Sequence, residues 1–447
     1  MFDKPLASLT LDDITQLIEV VKEPEGQFVD YKQLLGTDAG AKKELIKDVS
    51  AFANAQGGYL VIGVSEEDGL PKAITGTPKS VGRQKIDEWI NTVLSAGADP
   101  KIHYSIKVIT IKDGLVVVVL HIKDSPQKPH MMTLEKRNTY FKRHLDITSA
   151  ATNQEVRDMF AESQASSDRL RDFLDSKRLL DINFGHFGLT NNARRLVNNN
   201  AERDADGRGI TACIISLIPS TLTDNLIDPV SGAAREWLNN NTNGYQPIPS
   251  KDLYRTHEQE IDIDGVTFAN QIYSREGPEG FRRYVEFLNN GYVELGISSD
   301  VFYKVNAGEG RKPVMHLTNI VALAHAMINF ANKYYPAINS EDKVYLQLSL
   351  RNIKGYALSG FDERPINGNG GWAPAYSVWN ENPPVVKNYS NVRVVRLISP
   401  SGSNEPTVDD QIYGIASELS RAFGVQEIKC FDAAKTYNAA LLQHLFN

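Results

Sequence analysis

Three carboxylates and a lysine, in two short segments of the N-terminal third, are the residues best suited to chemistry. Glu25, Asp30 and Lys32 belong to EGQFVDYK, and Glu66 follows the apolar run YLVIGV. Asp30 and Lys32 are two residues apart, so in an extended strand their side chains project from the same face. Carboxylate oxygens are hard ligands that suit Mg²⁺ or Mn²⁺, and a lysine beside them can contact a phosphate. We therefore take these four residues as candidate site residues.

Each of these residues also has a purely structural interpretation. Glu25 fits a solvated side chain just beyond a helix, and Asp30 with Lys32 fits a strand-surface ion pair, which stabilises little. Glu66 lies in the acidic run SEEDG, which is typical of an exposed turn. The residue types alone leave both interpretations open.

The elements that must position these residues are indicated by hydrophobic periodicity. Apolar side chains recur at helical spacing over residues 40–54, so Lys42, Lys43, Lys47 and Asp48 are expected on the solvated face. The Gly-Gly pair at 57–58 allows a sharp reversal of the backbone. The continuous apolar run 59–64 then predicts a central strand buried on both faces.

The surrounding segments predict an α+β domain over residues 1–164. Helices are expected at 9–22, where Thr10 is the N-cap, and at 84–95 and 153–163. Strands are expected at 27–31 and 138–143, with a hairpin formed by 102–111 and 115–122. The polar stretch 163–168 (SQASSD) is expected to be a linker.

A second, mixed α/β domain is expected over residues 165–447. Strand patterns occur at 211–220, 281–295, 343–358 and 392–398, and helical patterns at 317–335 and 409–423. The irregular loop 366–384 contains Trp372, Tyr376 and Trp379. These aromatic residues fit either a ligand-stacking loop or an anchor in the core.

Charge and composition limit the classes of partner. The net charge of −7 argues against coating nucleic acid by bulk electrostatics, but it is compatible with a local basic groove. Basic residues concentrate between 123 and 143, and the candidate phosphate contacts there are Lys136, Arg137, Lys142 and Arg143. A solvated loop and strand face is the structural alternative.

Membrane and secretory classes are not indicated. The chain has no apolar window of about 18 residues, and its polar, acidic N-terminus is unlike a signal peptide. Cys213 and Cys430 have apolar neighbours and are expected to be buried thiols, not a disulfide or a metal site. We therefore expect a cytoplasmic protein with no membrane partner.

Four ordered motifs resemble the AlbA_2 domain of the Schlafen family over about residues 15–163. They are EGQFVDYK, the helix ending in AFANAQGG, the strand YLVIGV, and TYFKRHLDITSAATNQEV. Asp30 stands where the family usually has Glu. Ser65 stands where it usually has Asp directly after Gly-Val, and Glu66 matches a second acid often found there.

The resemblance implies a metal-dependent endoribonuclease that cleaves tRNA-like RNA. Carried onto this sequence, it makes Glu25, Asp30 and Glu66 the ligands of Mg²⁺ or Mn²⁺. It further implies, by analogy, an anti-phage defence effector whose C-terminal domain regulates the nuclease or senses a trigger ligand of unknown kind. Animal relatives pair two such lobes around RNA and only one is evident here, so a homodimer is expected.

Two other functions remain open from the sequence. The first is a non-catalytic DNA- or RNA-binding regulator, transcriptional or nucleotide-binding, built on the same fold. Ser65, which stands where the family usually has an acid, favours this regulator function. The second is ligand sensing without nucleic acid.

Overall fold

The structure is a computed structural model that divides into two compact units, Met1–Arg169 and Leu170–Asn447. It describes residues 2, 4, 6–112, 114–134, 138–177, 179, 190, 192–196, 211–223, 225–241, 258–274, 277–298, 301–307, 310–338, 340, 343–359, 384–389, 391–400, 407–426, 428 and 431. The predicted contacts Lys136 and Arg137, the aromatic loop residues Trp372, Tyr376 and Trp379, and Cys430 lie outside these ranges.

The N-terminal unit has four helices and thirteen strands among its described residues. The helices are α1 (Leu11–Gln16, continued by a π-helical turn Leu17–Val21), α2 (Ala39–Asn54), α3 (Ile86–Gly97) and α4 (Asn153–Ser176). The strands are β1 (Val29–Lys32), β2 (Gly57–Ile62), β3 (Val64–Glu67), β4 (Leu70–Ile74), β5 (Thr77–Pro78), β6 (Ser80–Val81), β7 (Gln84–Lys85), β8 (Ala98–Asp99), β9 (Tyr104–Thr110), β10 (Leu115–Lys123), β11 (Met131–Met132), β12 (Thr139–His144) and β13 (Ile147–Ala150).

A mixed sheet organises this unit. The strand order is β1-β2-β10-β5 with β9 also paired to β10; β1 runs parallel to β2, and the β9–β10 hairpin is antiparallel as predicted. Leu60 and Ile62 of β2 belong to one apolar core with α2 and α3, and Val61 belongs to the core on the opposite face. The prediction of a central strand buried on both faces is therefore confirmed.

Helix α4 is longer than predicted and includes the stretch 163–168 that was expected to be a linker. The prediction of a linker there was wrong. Polar residues are compatible with a solvated helix when i,i+4 pairs support it. Gln164 makes such a pair with Asp168, at 3.0 Å between Nε2 and Oδ1.

The Leu170–Asn447 unit is built on a seven-stranded sheet. The described strands of the unit, three of which (β19, β20 and β22) form a separate sheet, are β14 (Ala212–Pro219), β15 (Glu258–Asp262), β16 (Gly265–Ser274), β17 (Gly277–Leu288), β18 (Val293–Ile297), β19 (Phe302–Ala307), β20 (Gly310–His316), β21 (Val344–Arg351), β22 (Ala357–Ser359) and β23 (Val392–Ile398). Its described helices are α5 (Gly232–Asn241), α6 (Leu317–Ala337) and α7 (Val408–Ala422). The sheet order is β15-β16-β17-β18-β14-β21-β23, so the predicted mixture of helices and strands is confirmed.

One face of this sheet carries a buried carboxylate. Glu294 is fully buried and accepts hydrogen bonds from the hydroxyls of Thr190 (2.7 Å), Tyr284 (2.6 Å) and Tyr292 (2.5 Å). Ser216 lies 3.4 Å from its second oxygen. Hydroxyl donors therefore stabilise a charge that burial alone would penalise.

No helix in the described part of the chain is long and apolar enough to cross a bilayer.

Candidate acid–cation site

Strand β1 presents the first two candidate residues side by side. Asp30 is only 4% exposed, whereas the Lys32 side chain is 41% exposed. The Lys32 Nζ atom lies 2.5 Å from Asp30 Oδ2. The predicted shared face is confirmed, but Asp30 lies in the interior, so this is not the surface ion pair of the structural alternative.

Arg143 of β12 reaches the same carboxylate from the other side. Its Nη1 atom lies 3.1 Å from Asp30 Oδ1, and its other nitrogens donate to the carbonyls of Gly26, Val29 and Leu145. The guanidinium also lies over the Phe52 ring, 4.8 Å from its centroid. The contacts with Gly26, Val29 and Asp30 link β1 to β12, and the contact with Phe52 links β12 to α2.

Arg143 was predicted as a nucleic-acid contact, and the structure does not place it at the surface. Its side chain is 2% exposed and is engaged by internal acceptors. A phosphate outside the domain therefore cannot reach it in this conformation. Lys142, the preceding residue, is half-buried and stays a predicted contact.

Asp48 is a site residue that the sequence analysis missed. It was expected on the solvated face of its helix, and that expectation was wrong, because Asp48 is 5% exposed. Its Oδ2 atom lies 3.6 Å from Lys32 Nζ. The available signal was its spacing: Asp48 follows Leu45 by three residues and precedes Phe52 by four, which places it on the apolar face.

The pKa shifts show how strongly these groups interact. Burial raises the pKa of Asp48 to about 6, and nearby Lys32 partly opposes that rise. Burial by itself would lower the pKa of Lys32, but the charges of Asp30 and Asp48 outweigh it and raise the pKa. Lys32 is therefore a firmly held cation between two acids.

Glu25 lies at the border of this group. Its Oε1 atom accepts a hydrogen bond from the Tyr31 amide at 2.9 Å. Burial raises the pKa of Glu25, the Tyr31 bond partly lowers it, and the charges of Asp30 and Glu66 add to the rise. Glu25 thus differs from the solvated side chain of the structural alternative.

Glu66 lies in β3, close to the turn that joins β3 to β4, and this turn contacts Glu25. The Glu25 amide donates to the Gly69 carbonyl at 2.7 Å. Glu66 is exposed, and its Oε2 atom accepts from the Gly69 amide at 2.8 Å. Ser65 donates its hydroxyl to the Ala73 carbonyl at 3.3 Å. Glu66 is thus near Glu25, but its carboxylate is hydrogen-bonded to Gly69 of the adjoining turn.

These acids do not fit a metal ion as they are placed. Within the described ranges, no group of three or more His, Cys, Asp and Glu side chains could hold one. The buried Asp30 Oδ2 atom has no hydrogen-bond partner there, but it is ion-paired with Lys32. A divalent cation would therefore have to displace Lys32 from Asp30.

Asn54 and Gly58 of the AFANAQGG segment make contacts that hold neighbouring segments of the domain together. Asn54 donates to the carbonyls of His130 and Phe141 at 2.8 Å each and accepts from the His130 amide at 2.6 Å. Gly58 has φ +155°, and a Cβ there would lie 2.6 Å from the Phe52 ring. These contacts explain why an asparagine and a glycine occur at these positions.

One of the basic residues that precede β12, Lys128, is also buried. It pairs with Asp124 at 2.8 Å and Glu162 at 2.6 Å. It therefore ties α4 to the loop after β10 and offers little charge to an external phosphate.

Fold and site together define an α+β domain with a buried cluster of acids and cations at the edge of a mixed sheet. Residues 25–152 match the family model described as Schlafen, AlbA_2. This part of the chain therefore matches the Schlafen AlbA_2 domain, which confirms the resemblance and points to a function related to nucleic acid. A comparison with curated protein sequences found no match.

Two solved structures show weak similarity. The first is the N-terminal domain of a RecG-related protein from Nitrosomonas europaea, with 18% identity over 32% of this chain and 93% of that chain, and a TM-score of 0.22. The second is the DIP2311 protein from Corynebacterium diphtheriae, with 13% identity, 75% of this chain, 56% of that chain and a TM-score of 0.22. Both TM-scores are below 0.5, so we draw no conclusion from either similarity.

Proposed function

We propose that the N-terminal unit is an endoribonuclease whose acid–cation site acts on a phosphodiester of tRNA-like RNA. The proposed residues are Glu25, Asp30, Glu66 and Lys32, with Asp48 added from the structure. The AlbA_2 match supports action on nucleic acid, and the site geometry supports phosphate chemistry.

The half-exposed Lys32 between two buried carboxylates is the observation that carries the proposal. Burying two carboxylates beside one cation costs free energy, and such perturbed clusters concentrate at functional sites. A phosphate that approaches from solvent would meet the Lys32 ammonium first. Lys32 then offsets the negative charge that develops on the phosphate oxygens during cleavage.

Glu25 is the proposed group for proton transfer. Phosphodiester cleavage requires a base for the attacking hydroxyl, and efficient bases have a pKa close to the working pH. Burial moves the pKa of Glu25 upward, in that direction. Its position at the border of the buried cluster leaves it half-buried, so a substrate can approach it.

Dependence on Mg²⁺ or Mn²⁺ is part of the proposal, although the resting arrangement does not form the metal site. Glu25, Asp30 and Glu66 are the acids that would hold it after Lys32 leaves Asp30.

The test is incubation of the purified full chain with total tRNA, with and without Mn²⁺, beside the Glu25→Gln variant. Glu67→Gln is the matched control, because Glu67 is exposed at the end of β3 in the same unit and pairs only with exposed Lys72 among the contacts described. We expect metal-dependent cutting by the wild type and the control, and a loss of at least 100-fold in Glu25→Gln. Equal cutting by both variants would refute the assignment of Glu25.

A non-catalytic nucleic-acid-binding regulator is the second candidate. Ser65 in place of an acid, and the lack of a metal-holding group in the described residues, favour it. Lys142 is then the proposed phosphate contact, with Lys136 and Arg137 as further predicted contacts. Binding of tRNA or DNA without cutting, weakened in Lys142→Ala and unchanged in Glu25→Gln, is the result that would select this function.

We also propose that the chain forms a homodimer around RNA and that residues 165–447 regulate the nuclease in response to a trigger ligand. A role in anti-phage defence is the corresponding biological proposal. Light scattering at micromolar concentration tests the dimer, since a monomer under those conditions would contradict it. A plaque assay with wild type and Glu25→Gln tests the defence role.

A further inference from the structure

A cleft of about 400 Å³ opens where β1 begins and β10 ends, and the acid–cation site does not use it. Its lining includes Phe28, Gln56, Tyr59, His121, Lys123 and Asp124. The volume is within the range of small-molecule sites in proteins, roughly 300–1,000 Å³. The lining mixes aromatic rings with a few polar groups, which is the usual character of such sites.

Aromatic rings form the wall of the cleft. Tyr59 and His121 are cross-strand neighbours on β2 and β10, and their rings stack with centroids 4.5 Å apart and 14° between the planes. Phe28 is 52% exposed at the cleft. A half-exposed phenyl ring beside an aromatic stack is the arrangement on which unpaired bases stack in single-strand binding proteins.

The polar groups favour a base and sugar over a bare phosphate. Glu23 and Asp124 line the cleft together with Lys123, so two acids and one lysine give it a formal charge of −1 and a dianion would meet two carboxylates. Gln27 and Gln56 form an amide pair at 3.0 Å between Nε2 and Oε1 at the rim. Amides and carboxylates can bond the donors and acceptors of a base edge and the hydroxyls of a ribose.

The cleft lies next to the acid–cation site along the chain. Phe28 directly precedes β1, in which Asp30 is the second residue, so their Cα atoms are at most about 7 Å apart. That length is comparable with one step between neighbouring nucleotides in an extended strand.

We propose that this cleft binds the nucleobase and ribose of one unpaired nucleotide. That this nucleotide is the neighbour of the reacting phosphate rests on the proposed function; binding of the base itself does not. The cleft would make the domain prefer single-stranded or loop segments, because a paired base cannot enter it.

The first test is an NMR titration of the full chain with adenosine 5′-monophosphate and with ribose 5-phosphate, which lacks the base. The His121 ring protons are the reporter, and they are assigned with the His121→Gln variant. We expect a saturable shift with the nucleotide and none with the sugar phosphate. Equal shifts with both compounds would show a phosphate effect and overturn the proposal.

The second test separates Phe28 from other exposed rings. Phe28→Ala should weaken nucleotide binding at least fivefold, and Phe28→Trp should restore it, since stacking grows with ring area. Phe160→Ala is the matched control, because Phe160 is 55% exposed and packs on Tyr140 of the same unit. Circular dichroism checks that each variant is folded; equal effects of Phe28→Ala and Phe160→Ala would contradict the proposal.

The outcomes also separate this proposal from the nuclease. Nucleotide binding at the cleft without any RNA cutting would support the proposed nucleotide site and contradict the proposed nuclease activity. RNA cutting without a shift of the His121 ring protons on addition of nucleotide would support the nuclease activity and contradict the proposed nucleotide site.

Discussion

The guanidinium of Arg143 lies 3.1 Å from the carboxylate of Asp30, although 113 residues separate the two in the chain. Both groups are buried, and Arg143 also donates to the carbonyls of Gly26 and Val29 at β1 and of Leu145 after β12. This pair joins β1 to β12 inside the domain. It makes Arg143 a structural residue of the site.

Arg143→Ala is therefore expected to destabilise the N-terminal unit strongly. The variant removes one of the two cations that pair with Asp30 and the donor to the carbonyls of Gly26 and Val29. Loss of one partner of a buried ion pair costs about 3–5 kcal/mol. Urea unfolding of the full chain, followed by circular dichroism, measures the loss. Lys142→Ala is the control, and it should change the free energy of unfolding by less than about 0.5 kcal/mol. A loss below 1 kcal/mol for Arg143→Ala would contradict the assignment.

Asp48 should make the stability depend on pH. Burial raises its pKa to about 6 in the folded chain, above the ordinary value of 3.8. Between these two values the folded chain binds more protons than the unfolded chain, so the free energy of unfolding falls as pH rises through this window. A shift of about two pKa units corresponds to about 3 kcal/mol.

Asp48→Asn removes this titration. Its free energy of unfolding, relative to the wild type, should rise between pH 4 and pH 7, and urea unfolding at both values measures the difference. Asp146→Asn changes an exposed acid in the same unit and should keep the wild-type slope. Parallel slopes for wild type and Asp48→Asn would show that Asp48 is not the titrating group.

Glu294→Gln should destabilise the second unit. The Glu294 carboxylate accepts from Tyr284, Tyr292 and Thr190, whereas a glutamine turns an NH₂ donor toward hydroxyl donors. Leaving a buried donor unsatisfied costs about 1–3 kcal/mol. Hydrogen exchange of β17 and β18 reports this unit separately from the first.

Glu260→Gln is the control for that experiment, since Glu260 forms an exposed ion pair with Arg195. Exposed pairs contribute about 0–1 kcal/mol, so exchange in β17 and β18 should stay close to that of the wild type. An equal effect of the two variants would argue against a special role for the hydroxyl network.

Cys213 should be unreactive in the folded chain. The residue is fully buried, and burial raises the pKa of its thiol to about 12, so almost no thiolate is present at neutral pH. In a Cys430→Ser background, a maleimide probe should label Cys213 only after urea unfolding. Rapid labelling of the folded chain would contradict the buried position.

The sequence by itself determined the elements and the outline of the site. Periodicity identified α2, β2 and the β9–β10 hairpin, because each of these patterns is complete within one short segment. The spacing of Asp30 and Lys32 also placed both on one strand face, since side chains alternate along an extended chain.

Tertiary structure alone decided which charges meet. The side chain of Lys32 lies between Asp30 and Asp48 because α2 packs on the sheet, and Arg143 reaches Asp30 because β12 packs on α2. Local patterns set the conformation of a segment, whereas pairing between distant segments sets its neighbours and the solvation of its charges. The sequence therefore supported the same expectation for every lysine and arginine of the basic run. Only packing shows that Arg143 is buried whereas Lys142 is half-buried.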